Sequence, residues 1–507
     1  MATCPSGRFR LLFHSMTLRD VVAAHAERDP DRIALIADSD GCTRTYGQLR
    51  DHADSVASAL RARGVAVGDR VVIWMENSVA WVESLLGCGA AGAIAVPLNP
   101  DWRDAEASYV LSHCEPRAIV CDAGIATRAA ALAPDALVVA SGAPFDELTA
   151  TPAEPIAEAI DIDGPGLIMY TSGTTSGQPK GVVQSHRTVI ECMAGAYADS
   201  VQAGPADRCL FVTPLFHGNA MGGCLSALSV GASAVFCRRF SRSDFWRLID
   251  LYRPTYLFTL LPIVNIALSG PSRPLMTENS LRTAFVLGAG AERARLGDRL
   301  GGAAIVDCYG LSECSIGTYT RPEEEIRPGS AGRPFPGVQM RIVDERGAQC
   351  PPGQLGEVVF TGRGVLLGYF RPTEQQRSAF RDGWFHTGDL GYFDHDGYFY
   401  FADRKKDIVR RGGENISSIE VESVLREAPG VRDVAIVARP DDVLGERVAA
   451  FVIAAAGAAP TLEQLRAHAA TALAAYKLPE ELVLVEEFPR TPSGKIQKFE
   501  LRKALAG

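Results

Sequence analysis

The stretch TYGQLRDHADSVASALRARG (45–64), followed by RVVIWME (70–76), VAWVESLLGCGAAG (79–92) and AIAVPLN (93–99), decides the fold. The first segment places its apolar residues on one helical stripe and stops at Gly64, so it predicts an amphipathic helix. The second and fourth are short apolar runs that read as strands, and the third reads as a helix. Working backward, RIALIAD (32–38) adds a strand, and TLRDVVAAHAERDP (17–30) predicts a helix ended by Pro30. Strand and helix alternate in this way to about residue 320, the signature of an α/β, doubly wound sheet. Residues 330–400 change character: Gly-rich turns separate short β-runs such as MRIVDE (340–345) and GEVVFTG (356–362), predicting a small β-rich subdomain. After the charged run at Asp403–Asp407, a separate α/β pattern carries strands at DVAIVARP (433–440) and RVAAFVIAA (447–455).

The chain has 507 residues, is 47% hydrophobic and 22% charged, and carries a net charge of −9. That is ample material for large cores, and the acidic balance argues against a nucleic-acid partner. Its 12 cysteines include no CxxC pair and no Cys/His cluster of zinc-finger spacing, which points to buried thiols in a reducing cytoplasm. No segment is long and apolar enough to span a bilayer; Leu257–Leu268 falls short. Residues 1–16 are expected to be either a disordered leader or the product of a start codon placed ahead of Met16, and their apolar core is too short for a secretory signal.

The segment richest in chemistry is Tyr170-Thr-Ser-Gly-Thr-Thr-Ser-Gly-Gln-Pro-Lys180-Gly181. Hydroxyl and glycine residues let N–H and O–H groups surround phosphate oxygens, and Lys180 adds a point charge. It is not a Walker A loop, because Gln178-Pro179 separates Gly177 from Lys180. Four further segments stand in order: Leu287-Gly-Ala-Gly290-Ala-Glu292; Asp307-Cys308-Tyr309-Gly310-Leu-Ser312-Glu313; Trp384-Phe-His-Thr-Gly-Asp389-Leu-Gly391; and Asp403-Arg404-Lys405-Lys406 leading into Arg410-Arg411-Gly412-Gly413. Pro489-Arg-Thr-Pro-Ser-Gly-Lys495-Ile-Gln-Lys498 comes last. Read singly, a GxG is an ordinary turn, YGLSE a strand-to-turn segment, and a KK pair such as Lys405 a solvated face.

Together and in this order, the segments resemble the adenylate-forming (AMP-binding) superfamily of acyl- and aryl-CoA synthetases, peptide-synthetase adenylation domains and luciferases. The similarity covers residues 17–507 and is greatest to stand-alone acyl-CoA ligases. It implies a large N-terminal domain (17–403) of two doubly wound sheets with a β-rich subdomain near 325–400. It further implies a small mobile α+β C-terminal lid (404–507) hinged near Lys406. It implies ATP, Mg²⁺ and coenzyme A, or a carrier-protein phosphopantetheine, as cofactors, and a small carboxylic acid as substrate. Monomer and homodimer are both compatible with it.

By the same resemblance, Thr171, Ser172, Gly173, Thr174, Thr175 and Lys180 hold the phosphates. Gly288, Ala289 and Gly290, with Asp307, Cys308, Tyr309, Gly310 and Ser312, line the nucleotide, the tyrosine against adenine. Glu313 and Thr171 meet Mg²⁺. Asp389 accepts the ribose hydroxyls, a cis-diol suited to two carboxylate oxygens. Arg404 contacts the nucleotide, Lys406 is the hinge, and Gly412 and Gly413 line the pantetheine tunnel. Lys495 reaches the acid and α-phosphate. His217, in Thr213-Pro-Leu-Phe-His217-Gly-Asn219-Ala220, resembles an aromatic gate before the acid; read alone it is equally a core histidine. This segment lacks the aspartate by which amino-acid-activating relatives bind an α-ammonium. The expected reaction is activation of a carboxylic acid to acyl-AMP, then transfer to a thiol, with coenzyme A favoured. Two other readings stay open: an adenylation enzyme loading a carrier protein in trans or another nucleophile, and an inactive nucleotide-binding protein.

Overall fold

The computed structural model describes residues 16–154, 159–171, 179–269, 280–412, 414–490 and 496–506. The chain divides into two compact units. The first comprises Met1–Thr171, Pro179–Met340 and Phe360–Phe385; the second includes Arg341–Val359 and His386–Gly507.

The first unit holds two seven-stranded sheets. One runs Ala304–Val306, Thr283–Leu287, Tyr256–Leu260, Arg208–Phe211, Ser233–Phe236, Ile33–Ala37 and Thr43–Thr45, parallel except for the last, edge strand. The other runs Gly368–Tyr369, Lys180–Ser185, Pro165–Thr171, Ile94–Pro97, Arg70–Trp74, Ala118–Cys121 and Leu137–Ala140, parallel except that Lys180–Ser185 is antiparallel to both of its neighbours. Parallel strands need both faces covered, and the near-continuous apolar runs predicted as strands meet that need.

The helix Tyr46–Ala62 starts at a capping box, with the Thr45 hydroxyl accepting the Gln48 N–H and the Gln48 side chain accepting the Thr45 N–H. Helix Val79–Ala91 is capped by Ser78 and ends at Gly92 with φ 71°. Nearly every residue of it is buried, and its one carboxylate, Glu83, lies 2.8 Å from both Arg44 Nε and His52 Nδ1. The N-terminal helix is shorter than predicted, Ala23–Arg28. Ahead of it, Asp20 Oδ2 accepts both the N–H and the hydroxyl of Thr17, and Leu18 donates its N–H to His186 Nδ1, which holds residues 17–22 in turns.

The predicted β-rich region forms a sheet in the order Val338–Val343, Gly356–Gly362, Trp384–Phe393, Phe380–Arg381, with Phe399–Arg404 also on Trp384–Phe393. In the second unit Val431–Asp441 and Gly445–Ala454 pair as a long antiparallel hairpin, with Ala435 opposite Phe451. Val434, Ile436, Val448 and Val452 point into one core. Ala435, Val437 and Phe451 point into another, beneath the helix Lys498–Ala506. Burial on both faces explains why these strands read as unbroken apolar runs. Among the described residues no helix is long and apolar enough to cross a membrane. The described cysteines are all free, most of them buried.

Candidate functional site

The predicted site residues fall into two clusters, one in each unit. In the first unit, Thr171 ends the strand Pro165–Thr171, which contains the apolar run 166–169, and pairs directly with Lys180 on the neighbouring strand. Gln184, further along that strand and fully buried, donates to the Ser312 carbonyl at 2.6 Å. Leu366 donates its N–H to the Glu313 carbonyl at 2.8 Å, and the Tyr369 hydroxyl donates to Glu313 Oε1 at 2.9 Å. Burial and the adjacent Glu313 carboxylate push the Tyr369 phenol up, so it stays a donor. Lys180 Nζ lies 5.7 Å from the centroid of the same ring. The phosphate-type lysine and the metal-type carboxylate are thus assembled around one tyrosine.

Asp307 joins the second and third predicted segments. Its Oδ1 accepts the N–H of Gly288 at 2.9 Å and of Cys308 at 2.8 Å, and its Oδ2 accepts the N–H of Gly290 at 2.8 Å. Burial pushes this carboxyl up, and the three N–H groups pull it back. Gly288 has φ 84°, a left-handed conformation that costs a side-chain-bearing residue steric energy. Ala289 is buried among apolar neighbours. Tyr309 stacks on Phe360 with centroids 6.1 Å apart. The hairpin of Cys308–Leu311 and Ser315–Tyr319 turns so tightly that a Cβ at Gly310 would lie 2.1 Å from the Ser315 carbonyl oxygen. His217 precedes helix Gly218–Ser229 and packs on Phe216, ring centroids 4.3 Å apart. Gly218 abuts Met169, two residues before Thr171.

In the second unit Asp389 and Arg404 are cross-strand partners, with Arg404 Nε 3.3 Å from Asp389 Oδ1. Glu357 lies beside them, its carboxylate accepting the Gly388 N–H at 3.1 Å and standing 3.4 Å from His386 Nδ1 and 3.6 Å from Lys405 Nζ. Lys405 is therefore a half-exposed ion-pair partner rather than a purely solvated charge. The Lys406 carbonyl accepts from Arg502 at 3.0 Å. Gly412 has φ 57° and donates its N–H to the Leu444 carbonyl. Ser172, Gly173, Thr174, Thr175, Gly413 and Lys495 lie outside the described residues.

Several contributors were not singled out from sequence. Asn77 is buried; its amide donates to the carbonyls of Thr213 and Cys237, and its Oδ1 accepts the Leu215 N–H at 2.7 Å, fixing the segment that carries His217. Asp403 is buried, its Oδ1 accepting the Arg404 N–H and its Oδ2 capping helix Ser418–Arg426 through the Ser418 N–H. The Ser417 hydroxyl caps the same helix locally by accepting the Glu420 N–H at 3.2 Å, whereas nothing local signals the distant Asp403 contact.

Among the described residues no group of three or more His, Cys, Asp or Glu side chains could hold a metal. A Mg²⁺ bound mainly through phosphates needs only one or two protein oxygens. The Glu313 carboxylate and the Thr171 hydroxyl are hard oxygen donors that fit it.

The family model for AMP-binding enzymes matches residues 22–370, and that for the AMP-binding enzyme C-terminal domain matches residues 420–495. The chain belongs to the AMP-binding enzyme family. This AMP-binding enzyme is 33% identical over 499 residues to a sulfoacetate–CoA ligase of Cupriavidus necator, covering 96% of this chain and 97% of that one. It is 32% identical over 511 residues to the fatty acid–[acyl-carrier-protein] ligase ScoC of Streptomyces coeruleorubidus, covering 97% of each. Its structure matches that of ATP-bound MatB from Rhodopseudomonas palustris with a TM-score of 0.89 and 30% identity, over 96% of this chain and 99% of that one. The expectations of an adenylate-forming enzyme of the acyl-CoA synthetase type, and of a mixed α/β fold with a large N-terminal and a smaller C-terminal domain, agree with these findings.

Proposed function

We propose that this enzyme uses MgATP to convert a carboxylic acid into its acyl-AMP and then passes the acyl group to the thiol of coenzyme A. The observation that carries the reading is the assembly of Lys180, Glu313 and the Asp307-clasped glycine turn in one unit: a cation, a carboxylate and a small-residue surface. A carboxylic acid has a pKa of about 4–5 and is already anionic at neutral pH, so no general base is required. Attack of its oxygen on the α-phosphorus needs alignment and cancellation of negative charge. Lys180 and the 171–180 loop hold the departing pyrophosphate, Glu313 and Thr171 would hold Mg²⁺, and the metal when bound spreads charge over the phosphates. Asp389 holds the ribose and Arg404 the nucleotide. Lys495 neutralises charge at the reacting carboxylate. A rotation about Lys406 then exchanges Lys495 for the Gly412–Gly413 loop, at which the thiolate attacks the acyl carbon and AMP leaves.

The acceptor reading draws support from the sulfoacetate–CoA ligase relative and from the Gly412–Gly413 resemblance. A carrier-protein phosphopantetheine is the second reading, supported by the ScoC relative. The Thr213–Ala220 segment carries no carboxylate, which favours an acid without an α-ammonium. Free, buried cysteines suit a cytoplasmic setting. Acid-dependent exchange of labelled pyrophosphate into ATP, run over a panel of carboxylic acids, tests the first half-reaction. Consumption of coenzyme A against acylation of a carrier protein tests the second. Exchange with no acid in the panel would return the reading to an inactive nucleotide-binding protein.

A further inference from the structure

Tyr369 touches two of the residues on which phosphate and metal handling rest. Its hydroxyl donates to Glu313 Oε1 at 2.9 Å, and Lys180 Nζ lies 5.7 Å from its ring centroid. The backbone sets both contacts. Strand Gly368–Tyr369 pairs with Val183 and Val182, three and two residues beyond Lys180, and Leu366 in the same segment donates its N–H to the Glu313 carbonyl. The ring is 9% exposed and packs with Val182, Leu366 and Phe385. A phenylalanine would fill that apolar space equally well. A buried phenol needs a partner for its O–H, and here that partner is the one carboxylate assigned to the metal. No ion pair joins Lys180 to Glu313 among the described residues; the tyrosine contacts both.

We infer that Tyr369 is a positioning residue for the metal site: its hydroxyl holds Glu313 Oε1, fixing the carboxylate plane so that Oε2 is presented to the Mg²⁺ of MgATP. The inference rests on the reading of Glu313 as the metal ligand. A ligating carboxylate that is itself hydrogen-bonded loses less freedom on meeting the cation. Removing such a partner elsewhere lowers metal affinity by about 10- to 100-fold.

The test measures ATP binding to the full-length enzyme by calorimetry, in EDTA and over a series of free Mg²⁺ concentrations. The proteins are the wild type, Tyr369→Phe, Glu313→Gln and the double variant. Tyr369→Phe is expected to need about tenfold more Mg²⁺ for half of the metal-induced gain in ATP affinity. Its affinity for ATP in EDTA should stay within about a factor of two of wild type, and the double variant should be no worse than Glu313→Gln alone. A wild-type Mg²⁺ dependence in Tyr369→Phe, beside a shifted one in Glu313→Gln, overturns the role of Tyr369 and leaves that of Glu313 intact. An unshifted Glu313→Gln removes the metal-ligand reading and the inference with it. Equal loss of ATP binding with and without Mg²⁺ in Tyr369→Phe reduces the residue to packing and also overturns it. Should the Phe variant not fold, Tyr369→Met, apolar and of similar bulk, carries the same comparison.

Discussion

Asp389 and Arg404 stand opposite each other on antiparallel strands, with the arginine Nε 3.3 Å from a carboxylate that is only 3% exposed. The strand ladder fixes their spacing, and the Thr387 hydroxyl, accepting the Asp389 N–H at 3.0 Å, fixes the turn into the strand. If Asp389 accepts both ribose hydroxyls, Asp389→Ala should lower kcat/KM for ATP by at least about 100-fold, since two hydrogen bonds to a charged acceptor are together worth about 3 kcal/mol or more. The decisive measurement is discrimination between ATP and 2′-deoxy-ATP. Wild type should prefer ATP strongly, and Asp389→Ala should treat the two alike. Preserved discrimination would remove Asp389 from the ribose.

Asp307 gives a second prediction. Asp307→Asn replaces one acceptor oxygen with an NH₂ group that must face a backbone N–H of Gly288, Gly290 or Cys308. A buried donor left facing a donor costs about 1–3 kcal/mol. The unfolding free energy from urea titration should fall by that amount, through a lower midpoint at an unchanged slope, and KM for ATP should rise as the Gly288–Gly290 turn loosens. A variant as stable as wild type would show that the clasp is dispensable.

Much of this was legible locally. The Gly64 stop and the apolar strand runs are short-range signals, and helix Tyr46–Ala62 follows the predicted 45–64 segment closely. The order of the site segments was legible because each carries its own residue pattern. What local reading missed is long-range. The cap that Asp403 places on Ser418, the hold of Asn77 on Thr213–Leu215 and the bond from Tyr369 to Glu313 join residues 15 to 138 positions apart. No periodicity encodes such a pairing. The N-terminal helix came out short for the same reason: Leu18 binds His186, 168 residues away.

His186 supplies a pH prediction. It is 2% exposed, and burial pushes its imidazole down to about 4, with Asp20 and Asp161 opposing weakly. In the unfolded chain it protonates near pH 6.5, and in the folded chain only near 4. Its contribution to stability is therefore complete above pH 6.5 and declines as pH falls from 6.5 to 4, by about 3 kcal/mol in all. His186→Gln keeps an acceptor for the Leu18 N–H but does not titrate. The difference in denaturation midpoint between wild type and His186→Gln should shift in favour of the variant across that window. A constant difference would show that His186 does not titrate as burial implies.

Lys495 separates the two half-reactions. Lys495→Ala should abolish acid-dependent pyrophosphate exchange while leaving thioester formation from supplied acyl-AMP close to wild type, because the cation is needed where charge develops during adenylation. Lys406→Pro should do the reverse, impairing the second step by restricting the hinge. Equal loss of both steps in Lys495→Ala would sink the assignment.

Lys498, three residues further on, is held differently. Its Nζ lies 2.6 Å from Glu422 Oε1 and donates to Ser418 Oγ at 2.6 Å, and Glu422 Oε1 also accepts the Ile436 N–H at 2.8 Å. Burial pushes the Glu422 carboxyl up, and Lys498 is the main force pulling it back. Lys498→Met therefore leaves a buried carboxylate without its cation and should cost about 3–5 kcal/mol at neutral pH. The folded-state pKa of Glu422 then rises further above its unfolded value, so the folded variant takes up a proton first. Its deficit should be fully expressed above the raised pKa and should shrink as pH falls toward the unfolded value. Thermal melts at pH 8 and pH 5 check this: the gap between wild type and Lys498→Met should narrow at pH 5. Lys498→Met/Glu422→Gln should recover a large part of the loss at pH 8. A gap independent of pH, unrelieved in the double variant, would mean that the loss comes from the Ser418 contact rather than from the stranded charge.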